Sequence, residues 1–374
     1  MMQPDQIDDI AEKLAALSRG GAVAVIGFDG FIDTIVRVVS GGPDEAQQHF
    51  ATKRAFGEKL VALGRANASF ELTEVATKIG GNAPNTAHAC GRLGLQVECI
   101  GMLGRPEIHE LFAGMHANCR LHSFAPPTQT TALEFDDGKV LLAGSRILRT
   151  VDWPAVRDGI GLERLRALYA DADIVGFTNW GEIEHATAIW EGAEAEVLAA
   201  IAPRRRIVFF DLADPRRRQA EFARLFALIE RLTAGNETVL SLNRNEAQAV
   251  ARHLAVVTDG SLEQLGAAIH RAIRVDTLIL RDPFEALAWT AAGQDRTPTF
   301  HLAAPRVSTG GGDNFNAGYC FARRAGLDTR AALLVASAVA RLYVGNGESP
   351  DCAQLVDFLR AQAAGATPAR EVAQ

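Results

Sequence analysis

Val307-Ser308-Thr309-Gly310-Gly311-Gly312-Asp313-Asn314-Phe315 is the most informative stretch of this 374-residue chain. Three consecutive glycines run into a segment that is apolar at helical spacing, with Phe315, Tyr319 and Ala322 on one side. Without side chains, Gly310, Gly311 and Gly312 let their backbone N–H groups close on a ligand, and the helix N-terminus that follows adds partial positive charge. The result is a cradle for an anion such as a phosphoryl group. Asp313 stands at its mouth, where a carboxylate can take a hydroxyl proton. A plainer arrangement fits the same residues: Asp313 as an N-cap and the glycines as a turn.

A second glycine segment lies far upstream, Gly80-Gly81-Asn82-Ala83-Pro84-Asn85-Thr86-Ala87. A glycine pair leads into a helix with Pro84 in its first turn, and Leu93-Gly94 closes it. Asn82 and Asn85 carry donors and acceptors suited to sugar hydroxyls. They serve as well for a helix cap and a turn.

Between and around these segments, short apolar runs at 22–28 (AVAVIGF), 174–177, 207–210, 239–242 and 278–280 read as strands buried on both faces. Helical patterns at 183–201, 217–232 and 262–273 separate them. Such alternation predicts an α/β fold, a central mostly parallel, doubly wound sheet flanked by helices. Residues 70–77 alternate polar and apolar, and 130–135 and 139–143 flank Asp136-Asp137-Gly138, a hairpin turn signal. These fit a small β-sheet standing off the main one. With no internal repeat or linker, one domain over 1–374 with a β appendage is the simplest organisation.

The two glycine segments together resemble the signatures of the ribokinase-like (PfkB) carbohydrate kinases. Residues 80–94 (GGNAPNTAHACGRLG) look like the N-terminal signature, and Gly310–Asp313 like the C-terminal G-A-G-D, with Gly311 where Ala is usual. Their order and separation also match, over about residues 23–359. The resemblance implies a small β lid over the substrate, drawn from about 34–39, 70–77 and 130–143. It implies Asp313 as catalytic base, Gly310, Gly311 and Gly312 as anion hole, and Gly81, Asn82 and Asn85 facing the substrate. An aspartate after the first strand should join them, either Asp29 or Asp33, with Asp33 preferred. Asn243-Arg244-Asn245-Glu246 looks like the family's N-x-x-E element, so Asn243 and Glu246 would serve the nucleotide, with Mg²⁺ held through water near Glu246 and no direct protein ligand. Asp211 and Arg216 lie where a D-x-N-x-R strand end is common, displaced by one residue. Three departures mark a divergent branch: Val307 replaces an Asp, residues 101–110 lack G-D-D, and Leu280-Arg281-Asp282-Pro283-Phe284-Glu285 lacks the T-x-G-x-x-G turn near the nucleotide.

The expectation is therefore a kinase that moves the γ-phosphoryl of ATP, with Mg²⁺, onto a hydroxymethyl group of a sugar-like molecule. A nucleoside or a vitamin-like alcohol is the alternative acceptor, and a sugar-binding relative that has lost turnover is the competing class. A nicotinamide oxidoreductase would need G-x-G-x-x-G after the first strand, and Gly27-Phe28-Asp29-Gly30 does not supply it. A net charge of −7 and the lack of a basic, aromatic-laced face argue against nucleic-acid or anionic-membrane partners. The arginine runs at 204–206 and 216–218 read as solvated edges. Five scattered cysteines without C-x-x-C point to a reducing compartment, and the acidic N-terminus lacks a signal pattern, so a cytoplasmic protein is expected. A homodimer through the β lid is the assembly such an appendage allows.

Overall fold

The computed structural model describes residues 4–41, 48–144, 146–257, 259–307 and 309–365. Ser308 and residues 366–374 lie outside the described residues.

The first apolar run forms β1 (Val23–Gly27). Successive residues of a strand face opposite ways, and in this sheet both faces are covered. Val25 packs into one core with Phe177, Trp190, Phe210 and Leu225. Its neighbour Ile26 packs into the other with Ala87, Cys90, Phe209, Tyr319 and Ala336. Each strand must therefore be apolar throughout, which is why the runs stand out in the sequence.

The chain continues through β2 (Phe31–Val38), β3 (Leu72–Gly80), β4 (Gln96–Gly101), β5 (Cys119–Ser123), β6 (Thr128–Phe135) and β7 (Gly138–Ala143). Then follow β8 (Ile174–Phe177), β9 (Ile207–Asp211), β10 (Glu237–Asn243), β11 (Thr277–Arg281), β12 (Glu285–Thr290) and β13 (Gly293–Pro298). The large sheet has the order β13-β12-β11-β10-β9-β8-β1-β4-β5. Its strands from β11 to β5 are parallel, while β12 and β13 add an antiparallel edge that periodicity had not singled out.

The small sheet has the order β3-β2-β6-β7. It contains the segments expected to stand off the main sheet, and β6 and β7 pair as a hairpin around Asp136 and Asp137. It has its own apolar cluster, Val36, Val38, Leu133 and Phe135 with Phe50, Phe56 and Phe70, part of it carried by the helix Lys53–Leu63. Only Phe28, Asp29 and Gly30 separate the C-terminal end of β1 from β2, so the small sheet stands directly over the strand ends of the large one.

Local departures have local causes. The helix expected over 183–201 begins at Ala186 and widens to a π turn at Ala193–Val197. The helix expected from 217 begins at Phe222, after short 3₁₀ turns. The arginine runs are not uniformly solvated, which corrects the sequence expectation. Arg218 is buried, with its guanidinium 4.8 Å from the Trp180 ring centroid and donating to the carbonyls of Ile183 and Glu184. Arg206 is buried too, donating to the carbonyls of Tyr169 and Ala170. In each case backbone carbonyls at the end of a turn take up the guanidinium donors.

Candidate active site

A cavity of about 1400 Å³ lies between the two sheets, at the C-terminal ends of the parallel strands. In open α/β sheets the strand ends leave such a crevice for ligands. Phe31, Asp33, Lys78 and Thr130 line it from the small sheet, and Gly81, Asn82, Asn85, Asn179, Gly310 and Asp313 from the large one. Gly311, Gly312, Asn243 and Glu246 are not among its lining residues.

Asp29 and Asp33, four residues apart, have different fates. Asp29 is wholly buried and caps the helix Asn82–Arg92 from a distance: its carboxylate accepts from the N–H groups of Asn82 (2.8 Å) and Ala83 (2.6 Å) and from Asn179 Nδ2 (2.6 Å). Burial pushes its carboxyl up to about 6 despite these donors. Asp29, considered for a sugar-facing place, is not among the residues that line the cavity. Asp33 instead faces the cavity from β2, flanked across the small sheet by Lys78 on β3 and Thr130 on β6. Partial burial raises its carboxyl, against the pull of the Lys78 charge. Gly80 is required beside it, because a Cβ there would collide with the Asp33 carboxylate.

Because Asp29 does the capping, the side chains of Asn82 and Asn85 are free for other work. Both reach across the cavity floor to Asp313: Asn82 Nδ2 donates to Oδ1 at 3.0 Å and Asn85 Nδ2 to Oδ2 at 3.1 Å. Asp313 is 5% exposed and sits in the first turn of the helix Gly311–Arg324. The cap of that helix is Gly310, at φ 85°, with no side-chain capping bond. Asp313 therefore does not act as the N-cap. A side chain at position 310 would also strike the Tyr343 hydroxyl, 2.5 Å from an ideal Cβ. Burial and the neighbouring charges of Asp211 and Asp29 hold the Asp313 carboxyl well above the usual carboxylate range.

Asp211 is the residue whose weight the sequence understated. It ends β9, is buried, and accepts from Ala213 N (2.9 Å), Asn316 Nδ2 (2.6 Å) and Asn82 Nδ2 (3.4 Å). Asn179 and Asn316 were missed altogether. The signal for Asn179, a left-handed backbone at φ 57°, exists only in the folded chain. On the far side of Asp211, Asn243 and Glu246 form a capping box at the helix Arg244–His253, with Glu246 Oε2 accepting from Asn243 N at 2.8 Å. Burial and the Asp211 charge push Glu246 up to about 8. Two buried carboxylates that repel one another are a fitting neighbourhood for a cation. Among the described residues, however, no group of three or more His, Cys, Asp or Glu side chains is arranged to hold a metal ion.

A family model for prokaryotic ketohexokinase matches residues 3–361. The chain belongs to the prokaryotic ketohexokinase family. A ketohexokinase of Haloferax volcanii is 29% identical over 364 residues, covering 96% of this chain and 95% of its own. Among solved structures, a ribokinase of Thermotoga maritima matches with a TM-score of 0.61 at 16% identity, over 91% of this chain and 99% of its own. The Arabidopsis thaliana ribokinase complexed with ribose and ATP matches at 0.59 and 19%, over 91% and 98%. A Burkholderia thailandensis nucleoside kinase in complex with inosine matches at 0.58 and 18%, over 93% and 100%. These likenesses show the ribokinase-like fold: a large, mostly parallel sheet between helices and a separate, mostly antiparallel small sheet. This prokaryotic ketohexokinase family member is thus a carbohydrate kinase, with ATP as co-substrate. No helix among the described residues is long and apolar enough to cross a membrane.

Proposed function

We propose that this enzyme phosphorylates a hydroxymethyl group of a ketohexose, with Asp313 as the general base. One observation carries the reading: a buried carboxylate with raised proton affinity, fixed by two asparagine amides at the mouth of a glycine cradle. The sugar oxygen attacks the γ-phosphorus of ATP while Asp313 takes the hydroxyl proton. As the new O–P bond forms, the bond from the γ-phosphorus to the β–γ bridging oxygen breaks, and its electron pair leaves with ADP. The N–H groups of Gly310, Gly311 and Gly312 hold the charge spread over the phosphoryl oxygens. Asp33, Gly81, Asn82 and Asn85 position the sugar, supported by their convergence on the cavity.

Mg²⁺ is proposed to arrive on the nucleotide phosphates, where it neutralises their charge, with Glu246 and Asn243 approaching it through water. The small sheet acts as the lid: Leu141 and Leu142 of β7, 60% and 54% exposed, line the cavity and would be covered on closure over sugar or by the lid of a second copy. A homodimer through that sheet, a cytoplasmic location, and no nucleic-acid or membrane partner complete the proposal. The net charge of −7 supports the last point.

The test is ADP release from ATP by purified protein against ketohexoses, aldoses, sugar acids and nucleosides, with the phosphorylated carbon assigned by ³¹P-coupled NMR. Fastest turnover on a ketohexose, phosphorylated on a terminal carbon, is expected. Preference for a nucleoside, or ATP binding without turnover on any acceptor, would overturn the reading.

A further inference from the structure

The segment Leu280–Glu285 closes on itself. Asp282 Oδ1 accepts from the N–H groups of Phe284 (2.9 Å) and Glu285 (3.0 Å), the N–H of Asp282 donates to the Glu285 carbonyl at 3.0 Å, and Arg244 pairs with the Asp282 carboxylate at 3.0 Å. The backbone donors of this turn are thus consumed and cannot face a ligand. What the segment offers instead is the side chain of Arg281, at the C-terminal end of β11 and opposite Asn243 in the parallel register.

The guanidinium is held in place without being neutralised by a paired acid. Its Cζ lies 5.4 Å from the centroid of the Phe315 ring, and its Nη2 lies 2.7 Å from where a Cβ on Gly312 would sit. It therefore lies against Gly312. Its charge acts on Asp211, Glu246 and Asp313 together. Yet Arg281 forms no ion pair within 4.0 Å among the described residues, unlike Arg244 with Asp282 or Arg323 with Glu237. Its Nε is buried with no hydrogen-bond partner among them. A buried guanidinium N–H without an acceptor is costly, and it leaves this side chain with donor capacity that no acceptor among the described residues takes up at Nε.

We infer that Arg281 is a further catalytic residue, a guanidinium supplied by the chain itself that donates to non-bridging phosphate oxygens of ATP beside Gly312. The inference rests on the phosphoryl-cradle reading above. Arg281 exchanges no proton. As the sugar–phosphorus bond forms and the bridging bond breaks, it meets the charge that collects on the phosphoryl oxygens, so its contact strengthens toward the transition state. It also supplies a positive charge in a neighbourhood of three carboxylates that would otherwise repel a triphosphate. A Lys cannot replace it fully, since an ammonium lacks the planar fork of donors.

Arg281→Gln tests this in the intact enzyme, through kcat, KM for ATP, sugar affinity by calorimetry, and a melting curve. A loss of about 10²–10³ in kcat is expected, with unchanged sugar affinity. Guanidinium chloride at sub-denaturing concentration should recover part of the rate in Arg281→Gln and none in the parent. A merely structural role would lower melting temperature without guanidinium rescue. Parental kcat and KM for ATP, or a loss that guanidinium does not touch, would overturn the inference. If Arg281→Gln does not fold, Arg281→Lys decides: a reduced kcat at parental melting temperature supports the fork, and parental kcat and KM refute it. Asp313→Asn in the same assay keeps the two readings apart. Its failure to slow turnover sinks the base assignment, whereas a normal Arg281→Gln sinks only this inference.

Discussion

Replacing Asp313 with asparagine separates chemistry from architecture, because the structure gives the two different magnitudes. Asp313 accepts one amide donor on each oxygen, from Asn82 and Asn85. Asparagine keeps one acceptor oxygen and turns its own NH₂ toward the other donor. The loss is one hydrogen bond, about 1 kcal/mol and up to ~3 kcal/mol if a donor is stranded. Against this, the substitution removes a buried carboxylate whose proton affinity is raised by burial and by Asp211 and Asp29. The sign follows from linkage. A carboxyl held above its unfolded value stabilises the fold relatively below the unfolded pKa, and that contribution is lost as pH rises through the folded value. The asparagine variant lacks this loss, so its melting temperature should gain on the parent's as pH rises above the ordinary carboxylate range, from about pH 4 upward. The net stability change at neutral pH should be small. Turnover should behave otherwise: an amide cannot take the hydroxyl proton, and a loss of about 10²–10⁴ in kcat is expected. The assay is a melting series across pH and an ADP-coupled rate on one preparation. A well-folded Asp313→Asn protein with near-parental kcat would refute the general-base assignment.

Asp33→Ala should raise the KM for sugar tenfold or more, the equivalent of about 1.4 kcal/mol, and leave the KM for ATP alone; an unchanged sugar KM would remove Asp33 from the substrate site. Glu246→Gln retains a residue that can complete the capping box with Asn243, so stability should hold while the response to Mg²⁺ weakens; a parental Mg²⁺ titration would reduce Glu246 to a capping role. Asp29→Ala strands the N–H groups of Asn82 and Ala83 and the Asn179 amide. It should cost about 1–3 kcal/mol by denaturant unfolding, and a cost under about 0.5 kcal/mol would mean that water caps the helix as well.

The sequence pointed to residues that meet at the cavity better than to the contacts they make there. Gly81, Asn82, Asn85 and Asp313 were found because glycine turns entering helices leave a mark within ten residues of chain. What each side chain touches was not written there. Asn82 was readable as a helix cap, and it is not one, because Asp29, 53 residues earlier, satisfies the exposed N–H groups first. Asp313 was readable as a cap and lies instead within hydrogen-bonding distance of amides 228 and 231 residues away. Arg281 appeared only as a departure from a glycine-rich turn, whereas the fold lays it against Gly312.

By itself the sequence determined the parallel sheet, since a strand covered on both faces must be apolar along its whole length, as at Val23–Gly27 and Ile174–Phe177. It also determined the β6–β7 hairpin, whose turn residues are local. Tertiary structure alone decided which strand ends are neighbours, and with that which charges meet. The order β11-β10-β9-β8-β1 sets Arg281, Asn243, Asp211 and Asp29 along one rim of the sheet, although they stand up to 252 positions apart in the chain. Periodicity reports how each segment meets the core. It carries no information about which segment lies beside it, and the proton affinities of Asp313, Asp211 and Glu246 depend on that neighbour.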